Sequence, residues 1–134
     1  MLKTTRPPQA IVAGWAPATA VSMTRCVRAS YRLELMADGQ PCLLWLSGRT
    51  GPGVHALGTV TGPVAPTGNG PAVPVRLVLL PDPVPRSDLR ADPRMRDAEV
   101  LRMPAGSNPS WLSAGQFAAV LDRVDIHRLG RWVP

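Results

Sequence analysis

Arginines carry most of the chemistry this chain can offer. Lys3 is the one lysine among fifteen basic residues, and the other fourteen are arginine. Residues 1–76 hold seven basic groups (Lys3, Arg6, Arg25, Arg28, Arg32, Arg49, Arg76) against two acids (Glu34, Asp38), whereas residues 77–134 hold eight against seven. The positive field therefore sits in the front half and favours an anionic partner, nucleic acid first. Arg25, Arg28 and Arg32 cluster where acids are scarce, so they are the candidates for phosphate. Arg49, in a Gly-rich turn, is either a fourth or a solvated loop arginine. A guanidinium suits this work because its planar fork matches two phosphate oxygens. A basic, soluble surface would show the same charge. GC-rich coding also accounts for the arginine bias, together with the many Ala, Pro and Gly residues.

Aromatic rings are the second resource. They number six: four Trp, Tyr31 and Phe117. Trp15 ends a short apolar stretch beside a turn, and Trp45 lies inside a continuous apolar run. Each is either a stacking surface or a core residue. Signals for catalysis are missing. There is no P-loop, no GxGxxG and no nucleophile elbow. His55 sits among apolar neighbours as a packed or half-exposed residue, and His127 is near the end of the chain. The acids between Asp82 and Glu99 stand beside arginines, as on a salt-bridged surface. Cys26 and Cys42 form no CxxC and no Cys/His cluster, so neither a metal nor a cofactor is expected. With no signal peptide and no stretch long enough to cross a bilayer, a cytoplasmic, non-catalytic protein with free thiols and no membrane partner is expected.

The elements that position these groups are short. The 134 residues fit one domain, and 16 prolines with 12 glycines argue for short strands and tight turns. A loose basic leader is expected over 1–9, the domain over 10–125 and a tail over 126–134, with Trp132 tucked onto the body. Ala10 to Trp15 reads as a first strand. Residues 18–30 read as a strand or an extended loop. Ser30 can cap a short helix over Ser30 to Met36. The organising stretch is Gln40 to Thr61. Cys42 to Leu46 reads as a strand covered on both faces, and Gly51-Pro52-Gly53 as a turn. Val54 to Thr61 is a second strand, whose Gly58 marks a bulge or a close backbone approach. Residues 62–71 show no periodicity. Ala72 to Leu80 is a strand, with Pro74 arguing for an edge or a bulge. One or two helical turns over Ser87 to Asp97, broken at Pro93, precede a short strand over Glu99 to Met103. Ser113 and Gln116 form a capping box for a final helix to about Arg123, with Phe117, Val120, Leu121 and Val124 on its apolar face. The sum is an α+β domain, a small, partly closed mixed β-barrel with short peripheral helices and a C-terminal helix.

Four segments, in order, resemble the EVE domain family of the PUA-like superfamily. Gln40 to Gly48 is similar to a family strand ending in W-x-S-G. Gly53 to Val60 is similar to G-I-Y-A-x-G-x-V, and Val73-Pro74-Val75-Arg76 to V-P-V-R. Asp88 to Pro93 with Arg102 to Asn108 is similar to the closing L-x-x-x-P … R-x-P-x-G-(S/T)-N block. The likeness covers roughly Tyr31 to Leu121. Ala16 and Cys26 stand where the family has a polar residue and a Trp. The resemblance implies a PUA-like barrel that binds nucleic acid, DNA or RNA, and holds a flipped, modified base such as methylated cytosine in a pocket. A nuclease acting in trans is the implied downstream partner. Stacking on an aromatic ring would return about 1–3 kcal/mol per base. The implied pocket residues are Trp15, Trp45, Ser47, Gly48, Gly53, Ser107 and Asn108. The glycines serve equally as turn formers, Ser107 and Asn108 as loop-backbone partners. Arg76 and Arg102 resemble family positions or are structural arginines paired with an acid such as Glu99. A small-ligand or nucleotide sensor and an interaction module with a vestigial pocket are the alternatives.

Overall fold

A computed structural model describes residues 1–104 and 108–130 of the chain. Its centre is the pair of strands expected at Gln40 to Thr61. Strand β1, Leu2–Thr4, runs parallel to β3, Pro41–Leu46. The latter pairs antiparallel with β4, Gly53–Val60. Beyond it lies β6, Gly70–Pro85, and β2, Ala20–Cys26, forms the far edge. A short strand β5, Ala65–Thr67, folds back on the start of β6. The sheet order is β1-β3-β4-β6-β2, and the sheet curls into a half-barrel carrying a few short helices, a small α+β fold.

Both faces of β3 and β4 are buried, which is why β3 reads as an unbroken apolar run. Leu43 and Trp45 enter one core with Val54, Leu57, Val78, Leu89, Met95 and Val120. Cys42 and Leu44 enter the other, with Leu2, Trp15, Val60, Val73, Val75 and Leu77. The alternation of strand side chains sends neighbours to opposite layers. The first layer is roofed by the helices after β6. These are α2 at Arg86–Arg90, a 3-10 turn at Pro93–Met95, α3 at Glu99–Arg102 and α4 at Ala114–Leu121, with a 3-10 turn at Ile126–Leu129.

Two glycines are fixed by backbone proximity. A Cβ on Gly58 would lie 1.8 Å from the Arg76 carbonyl oxygen, so the close approach expected there is real. Gly53 has φ +148°, and a Cβ there would lie 2.1 Å from the Val84 carbonyl oxygen. The capping box of α4 also forms, with Gln116 N donating to Ser113 Oγ at 3.2 Å and Ser113 N to Gln116 Oε1 at 3.0 Å. Ser30 caps a 3-10 turn at Tyr31–Leu35 through the Arg32 amide.

Several expectations are corrected. The leader is not loose over its whole length, because Leu2 enters the core and Ser47 N donates to Thr4 O at 2.8 Å. Ala10 to Trp15 is no strand. Pro8, which tolerates the first helical turn, starts the short helix α1 at Pro8–Ile11 instead. The loop over 62–71 contains β5. The strand expected over Glu99 to Met103 is instead the helical turn Glu99–Arg102: four residues with one buried apolar position suit a turn of helix as well as a strand, and Arg102 N donates to Ala98 O at 3.1 Å. Pro74 is on a central strand rather than an edge. It pairs with Thr24 of β2, but its carbonyl accepts from Thr61 N at 2.9 Å, so its nitrogen faces the other side, beyond the last β4 pair, Val60 with Val75, where no ladder bond is lost. The tail begins with a 3-10 turn whose Leu129 is buried. Trp132 lies outside the described residues.

Candidate functional site

The half-barrel leaves β1 and β2 as its two edges, and residues 108–110 tie these edges together. The Asn108 side chain grips the backbone of Lys3 from both ends. Lys3 N donates to Asn108 Oδ1 at 2.6 Å, and Asn108 Nδ2 donates to Lys3 O at 2.8 Å. Ser110 exchanges two backbone bonds with Met1, at 2.8 and 2.9 Å. On the other side, Arg28 N, just past the end of β2, donates to Asn108 O at 2.8 Å. The strap contains a cis peptide between Asn108 and Pro109.

A cavity of about 360 Å³ lies between this strap, the start of α4 and the edge of the sheet. Its size falls in the ~300–1,000 Å³ range of small-molecule sites. Leu2, Leu43, Val60 and Phe117 make its wall largely apolar, while Ser110 and Gln40 bring polar groups. Trp111 lines it too and remains 44% exposed, so this ring stands at the rim. The Cys42 thiol on the wall is pushed up to about 11 by burial. Burial likewise lowers the Met1 amine to about 6.

Arg32 sits beside the strap. Its guanidinium donates to Glu99 Oε1 at 2.7 Å and to Pro109 O at 3.3 Å. The pair holds Glu99 below the usual carboxylate range, first through the Arg32 hydrogen bond. The Trp111 backbone also bonds Glu99. Tyr31, 72% exposed, carries the Arg32 guanidinium 5.9 Å from its ring centre.

The residues expected from the sequence are thereby distributed over separate places. Trp45 and Trp15 are 2% and 3% exposed and sit in the two different cores, so neither presents a face to a guest. Trp15 Nε1 donates to Thr19 O at 2.8 Å. Ser47, Gly48 and Arg49 belong to the β3–β4 connection and Gly53 opens β4, and none of them lines the cavity. Asn108 is in the strap, its amide committed to Lys3. Ser107 lies outside the described residues. Arg32 is engaged by Glu99, the acid expected to pair with Arg76 or Arg102. Arg102 instead stands 3.9 Å from Asp97, and Arg76 is exposed. Arg25 is half-buried on β2, its Nε without a partner among the described residues. His55 Nε2 bonds Gly51 O at 2.7 Å, a clasp on the β3–β4 turn. Sequence reasoning missed Trp111. Its signal was its setting: a Trp between Pro109-Ser110 and the Ser113 cap lies on no apolar face that would bury it.

Among the described residues no helix is long and apolar enough to cross a membrane. No family model matches the chain, and no curated protein does. A solved structure, protein PSPTO5229 from Pseudomonas syringae, is similar, with a TM-score of 0.52 and 14% identity over 76% of this chain and 85% of that one. At that identity the likeness establishes a shared fold, and neither ligand nor activity passes with it.

Proposed function

We propose that the protein is a non-catalytic nucleic-acid-binding module of PUA-like type, similar to EVE domains. It takes one modified base, such as methylated cytosine, from a strand of DNA or RNA into the cavity beside Trp111. The observation that supports this best is the apolar, ligand-sized cavity with a half-exposed indole at its mouth. A base leaving its stack must regain stacking and edge hydrogen bonds from the protein. Trp111 supplies the first, and the polar groups of the wall supply the second. An apolar wall also rewards a methyl mark, by roughly 0.8 kcal/mol for each buried CH₂-sized group. The excess of basic groups in the front half adds attraction for the phosphate chain. A nuclease acting in trans would then act on the marked strand.

The test is binding to short oligonucleotides, unmodified or carrying methylated cytosine, hydroxymethylated cytosine or methylated adenine, at two salt concentrations. Trp111→Ala should weaken binding by about 5- to 150-fold, as expected for loss of one stacking surface worth ~1–3 kcal/mol, in a protein that melts normally. Undiminished binding by that variant would remove the cavity from the reading.

A second reading, a sensor of a free nucleoside, draws support from the Arg32–Glu99 pair. The arginine beside the strap is already neutralised and leaves less charge for a phosphate chain. Saturable binding of nucleosides without any for oligonucleotides would decide for it.

A further inference from the structure

A second opening adjoins the strap. It is a groove of about 520 Å³ lined by Arg32, Asp97, Glu99, Arg102 and Met103. The strap touches both openings. Pro109 lines the cavity while its carbonyl accepts from Arg32 Nη1 at 3.3 Å, and the Trp111 backbone bonds Glu99. Arg32 and Glu99 form a close ion pair in the groove, at 2.7 Å, with 26% of each side chain exposed. A single prong of the arginine holds that pair. Nη1 meets both Glu99 Oε1 and Pro109 O, and Glu99 is the only carboxylate partner of Arg32 among the described residues. Tyr31 adds a side-chain hydrogen bond. A guanidinium carries five N–H donors, and a phosphate engages two of its nitrogens at once.

Glu99 has a second place to go. Arg102 follows it by three residues in α3, a spacing that makes side chains of a helical turn neighbours, and both line the groove. Arg102 is lightly engaged. Its Nη1 stands 3.9 Å from Asp97 Oδ1, with 67% and 81% of the two side chains exposed. Exposed contacts of that kind hold weakly. A Glu99 carboxylate that leaves Arg32 therefore finds a new cation beside it, and the exchange strands no charge in the groove.

We infer that this groove receives a backbone phosphate of the bound strand and is held shut by Glu99: the phosphate takes both prongs of Arg32, and the Glu99 carboxylate passes to Arg102. This rests on the base-binding reading above and adds the contact that tells a strand from a free nucleoside. In the empty protein Glu99 stands in for the phosphate and damps the attraction of Arg32 for other anions.

The test uses the intact chain, a single-stranded oligonucleotide carrying 5-methylcytosine, and free 5-methylcytidine, over a series of salt concentrations. Glu99→Gln keeps an acceptor for the Trp111 backbone and removes the competing charge. It should raise the oligonucleotide-to-nucleoside affinity ratio about two- to fivefold at low salt, the weight of a part-exposed ion pair. Arg102→Gln should lower that ratio, because Glu99 then has no second partner, and the lowering should vanish in the Glu99→Gln background. An arginine that met the strand directly would weaken binding equally in both backgrounds. Adding Arg32→Gln to Glu99→Gln should reduce the slope of log K against log salt by about 0.7, one phosphate contact on a single strand. An unchanged slope, or an Arg102→Gln loss that is the same in both backgrounds, overturns the exchange. Should Glu99→Gln fail to fold, the exposed Arg102→Gln carries the readout, and an unmoved ratio overturns the exchange. Trp111→Ala reports on the base reading separately. Oligonucleotide binding that ignores Trp111→Ala but keeps its Arg32-dependent slope overturns the cavity and leaves the phosphate site standing. Failure of every oligonucleotide of the panel above to bind overturns both.

Discussion

Asn108 does with its side chain what a strand residue does with its backbone, offering one acceptor and one donor to the two polar groups of Lys3. The consequence can be measured. Asn108→Ala leaves a partly buried N–H and C=O without partners and should cost about 1–3 kcal/mol in urea unfolding. Asn108→Asp keeps the acceptor for Lys3 N but places a carboxylate oxygen against Lys3 O, so it should be no better than Ala. If both variants unfold like the parent, the clamp contributes nothing. The same residue shows why candidates for the site were hard to read. An Asn in a Pro/Gly loop has the same local signature whether it meets a ligand or a neighbouring backbone, and the partner here is 105 residues away. Trp15 and Trp45 illustrate the converse. Both rings were legible as important, yet each fills a core, and the ring at the cavity mouth is Trp111, in a segment without periodicity.

At the scale of elements, what was legible had a periodic or local cause. The β3 and β4 strands, the unbroken apolar run of Cys42 to Leu46 and the capping box before α4 show in neighbours within a few residues, and a lone glycine inside an apolar strand marked the approach at Gly58, whose partner is Arg76 on β6. Gly58→Ala should be among the most damaging single changes. The added Cβ meets the Arg76 backbone, which cannot rotate away as a side chain would. The loss should reach or exceed the top of the ~1–3 kcal/mol range for overpacked sites, seen as a lowered melting temperature or as insoluble protein. A variant that melts within a degree of the parent would show that β4 and β6 can separate at that point. Illegible elements were those set by distant partners. Three residues, Leu2–Thr4, are too few for periodicity, and their strand exists because Leu44–Leu46 offers a parallel edge. Four residues at Glu99–Arg102 alternate as well for a strand as for a turn of helix.

Across the whole molecule, a buried carboxylate helps to join the helical layer, beside the Arg94–Asp122 pair and the apolar core beneath it. Asp92 accepts from the Arg94 backbone and guanidinium and from Arg123 Nη1 at 2.8 Å, joining the Pro93–Met95 turn to the end of α4. The Arg94 side-chain and backbone hydrogen bonds hold its carboxyl far below the usual range, with Arg123 contributing. A depressed pKa in the folded state means that this stabilisation is complete above the unfolded value near ~3.9 and is lost as the pH falls below it toward the folded value. Thermal melts between pH 5 and pH 2 should therefore fall more steeply for the parent than for Asp92→Asn, by up to about one proton's slope per chain. Parallel curves would assign the acid limb to other groups. The strap has a different consequence, one of timing. It joins residues more than a hundred positions apart, so its closure carries a large loop entropy and should come late, once β3, β4 and β6 hold the edges that it bridges. The cavity wall that carries Ser110 and Trp111 should then be among the first surfaces to come apart in a partial opening, read as early hydrogen exchange there. A guest seated there would act as a latch on the barrel. Occupancy would slow hydrogen exchange at the Lys3 and Ser110 amides, so that binding at the cavity could be read in the breathing of the protein.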